Sequence, residues 1–135
     1  MSGDVRAPRS YDRAALAKLP QKTVHVRYGS AKGPQQHTET GVPLASLLPA
    51  DALATTKDKN DQLSFGVLGI GADGYRALVS YGEVSPDFGN RGILVAITED
   101  GRPLAQPRLV VPGDVKGGRY VSNLVELKVV RVAGK

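Results

Sequence analysis

Apolar and polar residues alternate with a period of two in several short segments of this chain, which is the pattern of half-buried β-strands. Residues 22–28 show it most clearly, because apolar or aromatic side chains occupy every second position. Residues 125–132 begin with the same alternation and end in a β-branched run, which favours burial on both faces. Residues 29–40 are polar and predict a loop. Further strands are predicted at residues 63–70, 75–79 and 93–99, and residues 104–108 lead into a short apolar run at 109–111 that suits a strand.

Three short helices are predicted between these strands. Residues 11–18 are rich in alanine and leucine and follow Ser10, a candidate N-cap. Residues 43–48 place leucines on one face after a proline, and the next proline limits this helix to about two turns. Ser80 and Glu83 have the spacing of a capping box. Short strands with short helices predict an α+β fold that is rich in β structure.

Glycine next to aspartate marks the turns of the chain. Residues 71–74, GADG, lie between two apolar runs and predict a hairpin. Asp100–Gly101 is a second, stronger hairpin signal. At residues 112–114 a proline that lacks a backbone donor is followed by Gly-Asp, so the preceding strand must end there.

Composition narrows the possible domain organisation. A length of 135 residues predicts one domain, which we place at residues 20–135, after a lead-in of residues 1–19 that has a disordered start and one short helix. The net charge is +5, but the charges are scattered, which favours a solvated surface over a nucleic-acid interface. There is no apolar run near the roughly 20 residues that a membrane span requires.

The sequence contains no cysteine, which excludes disulfides, thiolate metal sites and cysteine nucleophiles within these residues. The two histidines do not predict a metal site either. His25 points to the polar face of its predicted strand, and His37 stands alone in the predicted loop. Because a metal site requires several converging ligands, we expect none.

The residues that follow the Pro-Gly-Asp break form a basic, glycine-rich loop. Lys116 and Arg119 flank Gly117 and Gly118. Unhindered backbone amides and a guanidinium fork both suit phosphate or carboxylate, so this loop is a candidate anion site, with an ordinary surface turn as the alternative.

Three segments in one order resemble a known family: HTETGVPLASLL, then GADGYRALVS, then AITEDGRPLAQPRLVVPGDVKGGRYVSNLVELKV. They are similar to the molybdopterin-binding domain of the sulfite oxidase family, especially its small single-domain bacterial members. The resemblance covers roughly residues 20–132. It implies a β-rich α+β domain that holds a molybdenum cofactor, with a cysteine thiolate as a ligand of the metal.

The resemblance also assigns positions. It places the cysteine at residues 26–29, where this chain has Val-Arg-Tyr-Gly. It matches Tyr75 to the active-site tyrosine and Arg119, with Gly118, to the arginine beside the pterin. Where sulfite oxidases have a lysine and a tryptophan, this chain has Ser122, a further candidate ligand-binding residue, and an asparagine.

Three functions follow as hypotheses. The first is a non-catalytic domain that binds a small anion or a protein partner at this loop and needs no cofactor. The second is a molybdopterin-dependent oxidoreductase that acts on a small oxyanion or sulfoxide, with Tyr75 near the substrate oxygen. The third, nucleic-acid binding, has the least support because the basic residues are dispersed. Single-domain relatives are commonly exported, so the resemblance implies a periplasmic or exported protein if a signal peptide is removed.

Overall fold

The computed structural model describes residues 1–132, which form two four-stranded sheets over one hydrophobic core. The first sheet has the order β1-β8-β4-β5 and the second has the order β2-β3-β6-β7. The strands of the first sheet are β1 (Ser2–Gly3), β4 (Phe65–Gly71), β5 (Arg76–Ser80) and β8 (Leu124–Arg131). The strands of the second sheet are β2 (Lys22–Ser30), β3 (Gly33–Pro43), β6 (Leu94–Glu99) and β7 (Arg102–Val110).

In the first sheet the last strand, β8, lies in the interior, between β1 and β4. Its β-branched residues account for this, because Val129 is fully buried and pairs with Val67 of β4. The predicted hairpin at residues 71–74 is confirmed, since β4 and β5 pair in an antiparallel manner across it. The predicted disordered start is wrong. Ser2 and Gly3 instead pair in parallel with β8.

In the second sheet all neighbouring strands are antiparallel. The predicted polar loop at residues 29–40 is wrong, because β3 occupies most of it and pairs with β2 along nine residues. The hairpin predicted at Asp100–Gly101 is confirmed between β6 and β7. Both turn residues have positive φ, 52° and 79°, which is the conformation that an Asp-Gly turn favours.

The helices are short: α1 (Arg13–Ala17), α2 (Leu44–Leu47) and α3 (Tyr81–Val84), with 3₁₀ turns at Ala50–Ala52, Asp61–Ser64 and Gly117–Arg119. The N-cap of α1 is Asp12, not Ser10, because the Asp12 carboxylate accepts from the Ala15 N–H at 2.7 Å. The helix α2 has about one turn, not the predicted two, since Leu48 leaves the helical conformation. The capping box of α3 is confirmed.

The core consists mainly of valine, leucine and isoleucine from both sheets, joined by three tyrosines and Phe65. Tyr81 is the largest of the fully buried side chains, and its hydroxyl donates to the Leu48 carbonyl at 3.0 Å. The α+β, β-rich fold class is therefore as predicted. Among the helices within residues 1–132, none has the length and apolarity that crossing a membrane requires.

Candidate functional site

A cleft of about 920 Å³ opens beside the β2–β3 hairpin and faces the loop that precedes β8. The hairpin supplies one wall and the ends of β6 and β7 supply another. Residues 116–118 close the third side. The charged and aromatic lining residues are Tyr28, Lys32, His37, Glu99, Arg108 and Lys116.

Close contact between the hairpin and the glycine loop fixes the shape of this cleft. The Gly29 N–H donates to the Val115 carbonyl at 2.8 Å. Gly117 then lies directly on the ring of Tyr28, so a Cβ atom at position 117 would be only 2.6 Å from a ring carbon. Glycine at this position therefore allows the loop to approach the strand.

Below this contact, two tyrosines and an arginine form a layer under the cleft. The rings of Tyr28 and Tyr120 lie 4.3 Å apart, centroid to centroid. The Arg108 guanidinium lies 5.6 Å from the Tyr120 centroid and donates to the Tyr28 hydroxyl at 3.3 Å. Burial is the main cause that raises the pKa of Tyr120 above its ordinary value, so the Tyr120 hydroxyl remains neutral beside the charged Arg108.

Two glutamates meet beside this layer. Glu39 of β3 and Glu99 of β6 are directly opposed across the sheet. Glu99 accepts from Arg108 at 2.6 Å, whereas Glu39 is fully buried and neither of its carboxyl oxygens has a hydrogen-bond partner within residues 1–132. Burial and the neighbouring Glu99 carboxyl raise the pKa of Glu39 to about 8.

His37, predicted to stand alone in a loop, lies in β3 and faces the cleft. Its Nδ1 contacts the Asp100 carboxylate at 2.6 Å, and its Nε2 contacts the Gln35 side chain at 3.0 Å. The hydrogen bond from His37 is the main cause that lowers the pKa of Asp100 below its usual range. The other histidine, His25, is exposed and bonds Thr38.

Arg119 makes its hydrogen bonds inside the protein rather than into the cleft. Its guanidinium forms two-point contacts with Asp114, at 2.8 and 2.7 Å, and with Glu83, both at 2.9 Å. These carboxylates raise its pKa above the ordinary value, and Arg119 in turn lowers the pKa of Glu83. Arg119 is therefore positioned to hold the loop in place.

The structure divides the site residues that the sequence predicts into two groups. Lys116, Gly117 and Gly118 line the cleft. Tyr75 and Ser122 do not line it, but Tyr75 adjoins the loop, since its hydroxyl donates to the Gly118 carbonyl at 2.5 Å. Tyr75 therefore contacts the residue that precedes Arg119, whereas Ser122 is exposed next to the β4–β5 turn.

The cleft residues His37, Glu99 and Arg108, and Glu39 opposite Glu99, were not predicted as site residues. The placement of His37 and Glu39 depends on β3, which the sequence pattern assigns to a loop. The Asp-Gly turn does predict that β6 and β7 pair, but it does not predict the register shift between Ala96 and Thr98 that places Arg108 opposite Ala96. Nothing in the apolar pattern places Glu39 opposite Glu99.

Comparisons with known proteins show the fold and no more. The chain matches no protein-family model. No curated protein sequence matches it either. Among solved structures it is similar to the sulfane dehydrogenase SoxCD from Paracoccus pantotrophus, with a TM-score of 0.73 and 21% sequence identity.

The likeness establishes the fold. The aligned region covers 95% of this chain and 36% of the dehydrogenase chain, so the present chain spans about a third of the length of that protein. The predicted sulfite-oxidase-like architecture is confirmed at this level. A sequence identity of 21% is too low to assign the activity of the larger protein to this chain.

The residues present do not fit a thiolate-held molybdenum. The position at which the resemblance expects the cysteine is residues 26–29, and it does adjoin the cleft, through Tyr28 and Gly29. The ring of Tyr28 fills this place against Gly117 and Tyr120. The ligand groups at the cleft are one carboxylate, an imidazole, hydroxyls and amines, whereas the expected ligand is a soft thiolate.

Proposed function

We propose that this domain binds a small anion in the cleft, at the Lys116–Gly118 loop, and does not carry out molybdenum chemistry. The observation that carries the proposal is that two lysines from different segments, Lys32 and Lys116, both line one cleft. Both are exposed, and neither forms an ion pair with any of residues 1–132.

The charge balance of the cleft supports an anionic ligand. Arg108 and Glu99 neutralise each other at 2.6 Å, and His37 contacts Asp100. The two lysines therefore provide the excess positive charge at the opening. An ammonium group is a compact, hydrated point charge with three donors, which suits a small oxyanion such as sulfate or phosphate.

The position of Arg119 changes how the loop would act. The sequence suggests that its guanidinium fork grips the anion, but the fork is occupied by Asp114 and Glu83. In the proposal, Arg119 holds the loop against the body of the domain, and Lys116 with the glycine backbone meets the ligand. Binding through exposed lysines is sensitive to ionic strength, because salt screens such charges.

Calorimetric titration of the 135-residue chain with sulfate and with phosphate tests this proposal. We expect saturable binding to one site that weakens as potassium chloride rises from low to physiological concentration. Lys116→Ala and Lys32→Ala should each weaken it. Lys57→Ala is the matched control, since Lys57 is exposed and outside the cleft. Absence of binding, or equal loss in the control, would contradict the proposal.

A separate measurement tests the lack of molybdenum chemistry. The chain should be expressed in a host that makes the molybdenum cofactor, and its metal content should be determined by elemental analysis. We expect molybdenum far below one atom per chain. A stoichiometric content would show that the cofactor is held without a cysteine thiolate, and it would favour an oxidoreductase instead.

A further inference from the structure

Three potential metal ligands converge at the end of β6. His37, Glu99 and Asp100 each present a ligand atom, and these atoms all lie within 4.8 Å of one another. They come from two strands and the turn that follows β6. The turn is held to β3 because Asp100 exchanges two hydrogen bonds with Thr38, both at 2.8 Å.

Glu39 is an independent sign that this cluster is incomplete. It is directly opposite Glu99 on the same face of the sheet, two residues along β3 from His37. It is fully buried, and both of its carboxyl oxygens lack a hydrogen-bond partner in the described part of the chain. A buried polar group of this kind is normally satisfied by a protein group, water or an ion.

The charges of the cluster also favour a cation. Three carboxyl groups, those of Glu39, Glu99 and Asp100, lie together, and Arg108 is the one guanidinium within residues 1–132 that donates to any of them. It uses Oε2 of Glu99, which leaves Oε1 available. A divalent cation would balance the charge of Asp100 and would displace the proton that the buried Glu39 carboxyl holds.

We propose that His37, Glu99 and Asp100 bind a divalent cation. Glu39 is not among the residues whose ligand atoms lie within 4.8 Å of one another, so its buried carboxyl would turn toward the cation to act as a fourth ligand. One imidazole nitrogen with carboxylate oxygens is a donor set suited to Zn²⁺ or Mn²⁺. The cation would replace the proton between His37 Nδ1 and Asp100 Oδ2, which now lie 2.6 Å apart. These two atoms must separate by roughly 0.4–0.8 Å, since each would lie roughly 2.1 Å from the metal at an octahedral or tetrahedral angle.

The test uses the full chain, freed of metal with a chelator and titrated with MnCl₂ and ZnCl₂ in an anion-poor buffer. We expect one cation per chain. His37→Gln and Glu99→Gln should each weaken binding by about tenfold or more. Glu39→Gln should weaken it as well. His25→Gln is the control, because His25 bonds Thr38 and lies outside the cluster.

Two further measurements show whether each variant is folded and whether His37 binds the metal. Circular dichroism of each metal-free variant shows whether the fold is retained, which separates loss of a ligand from loss of structure. Electron spin echo measurements on the Mn²⁺ complex should show coupling to an imidazole nitrogen that disappears in His37→Gln. Absence of binding, coupling that persists in His37→Gln, or an equal loss in His25→Gln would overturn the proposal.

Discussion

Arg119 and Glu83 form a two-point ion pair in which Nη1 donates to Oε1 and Nη2 donates to Oε2, both at 2.9 Å. Glu83 is also the third residue of the α3 capping box and accepts from the Ser80 N–H at 3.1 Å. A single carboxylate therefore stabilises the helix start and holds the Gly117–Arg119 turn. The second pair, to Asp114, fixes the beginning of the same loop.

Replacing Arg119 should destabilise the fold. Arg119→Ala leaves two partly buried carboxylates unpaired, and we expect a loss of about 1–3 kcal/mol in the free energy of unfolding, because hydrogen bonds to charged groups are of this size. Arg119→Lys should recover only part of it, since an ammonium cannot form both two-point contacts. Urea denaturation measures these values. Arg76→Ala, an exposed arginine of β5, is the control, and an equal loss there would contradict the role of Arg119.

Gly117 and Gly118 should respond differently to alanine. A Cβ atom at position 117 meets the buried ring of Tyr28 at 2.6 and 2.7 Å, whereas one at position 118 meets only the Tyr75 hydroxyl at 3.8 Å. We expect Gly117→Ala to cost about 1–3 kcal/mol through overpacking. Gly118→Ala should stay within about 0.5 kcal/mol of the parent. Urea midpoints compare the two, and equal effects would show that the loop moves freely away from the hairpin.

Local signals of a few residues predicted much of this fold. The Asp100–Gly101 turn and the Ser80–Glu83 capping box are both found where the sequence places them. Each of these signals involves only about four residues, and it acts through positive φ or through a side-chain cap. The conformation therefore depends little on the surrounding structure. The alternation at residues 22–28 succeeded for a related reason, since its apolar residues face the core.

The strand β3 could not be predicted from hydrophobic alternation, because its inward face carries polar residues. Gln35, His37 and Glu39 point inward and alternate with Gln36 and Thr38, so no apolar period marks the strand. Of these inward polar residues, Gln35 and His37 line the cleft, and Glu39 is buried opposite Glu99. The missed strand and the missed site residues therefore have one cause.

The partners of Arg119 could not be predicted for a different reason. Glu83 lies 36 residues away in sequence, and only the folded chain brings α3 against the glycine loop. A basic residue beside two glycines indicates a potential anion site, but it does not show whether the charge faces a ligand or a carboxylate of the protein. That choice depends on long-range packing.

Tyr75 separates the anion-binding proposal from the oxidoreductase alternative. Its hydroxyl donates to the Gly118 carbonyl and its side chain is outside the cleft, so Tyr75→Phe should leave sulfate affinity unchanged. The lost hydrogen bond should cost about 0.5–1.5 kcal/mol at most and should speed amide exchange in the 117–119 turn. Tyr11→Phe is the control. A fall in sulfate affinity as large as that of Lys116→Ala would place Tyr75 at the ligand.

Stability should fall in acid through a buried ion pair far from the cleft. Asp61 is buried beside Arg131, at 2.6 Å, and accepts from the Thr56 N–H at 2.8 Å. The hydrogen bond from Arg131 is the main cause that lowers the pKa of Asp61 from 3.8 to about 2. A lowered pKa means that the folded state holds its proton less tightly than the unfolded chain does. The contribution is therefore complete above pH 3.8 and is lost as the pH falls from 3.8 to about 2.

Melting temperatures recorded between pH 2 and pH 6 test this pair. Asp61→Asn should lower the melting temperature at pH 6 and flatten its fall below pH 4, because the variant has no carboxylate to protonate. Asp58→Asn is the matched control, since Asp58 lies 3.5 Å from Arg131 but is largely exposed, and exposed pairs contribute little. If the profiles of the parent chain and Asp61→Asn run parallel down to pH 2, the acid sensitivity of the domain originates in other carboxylates.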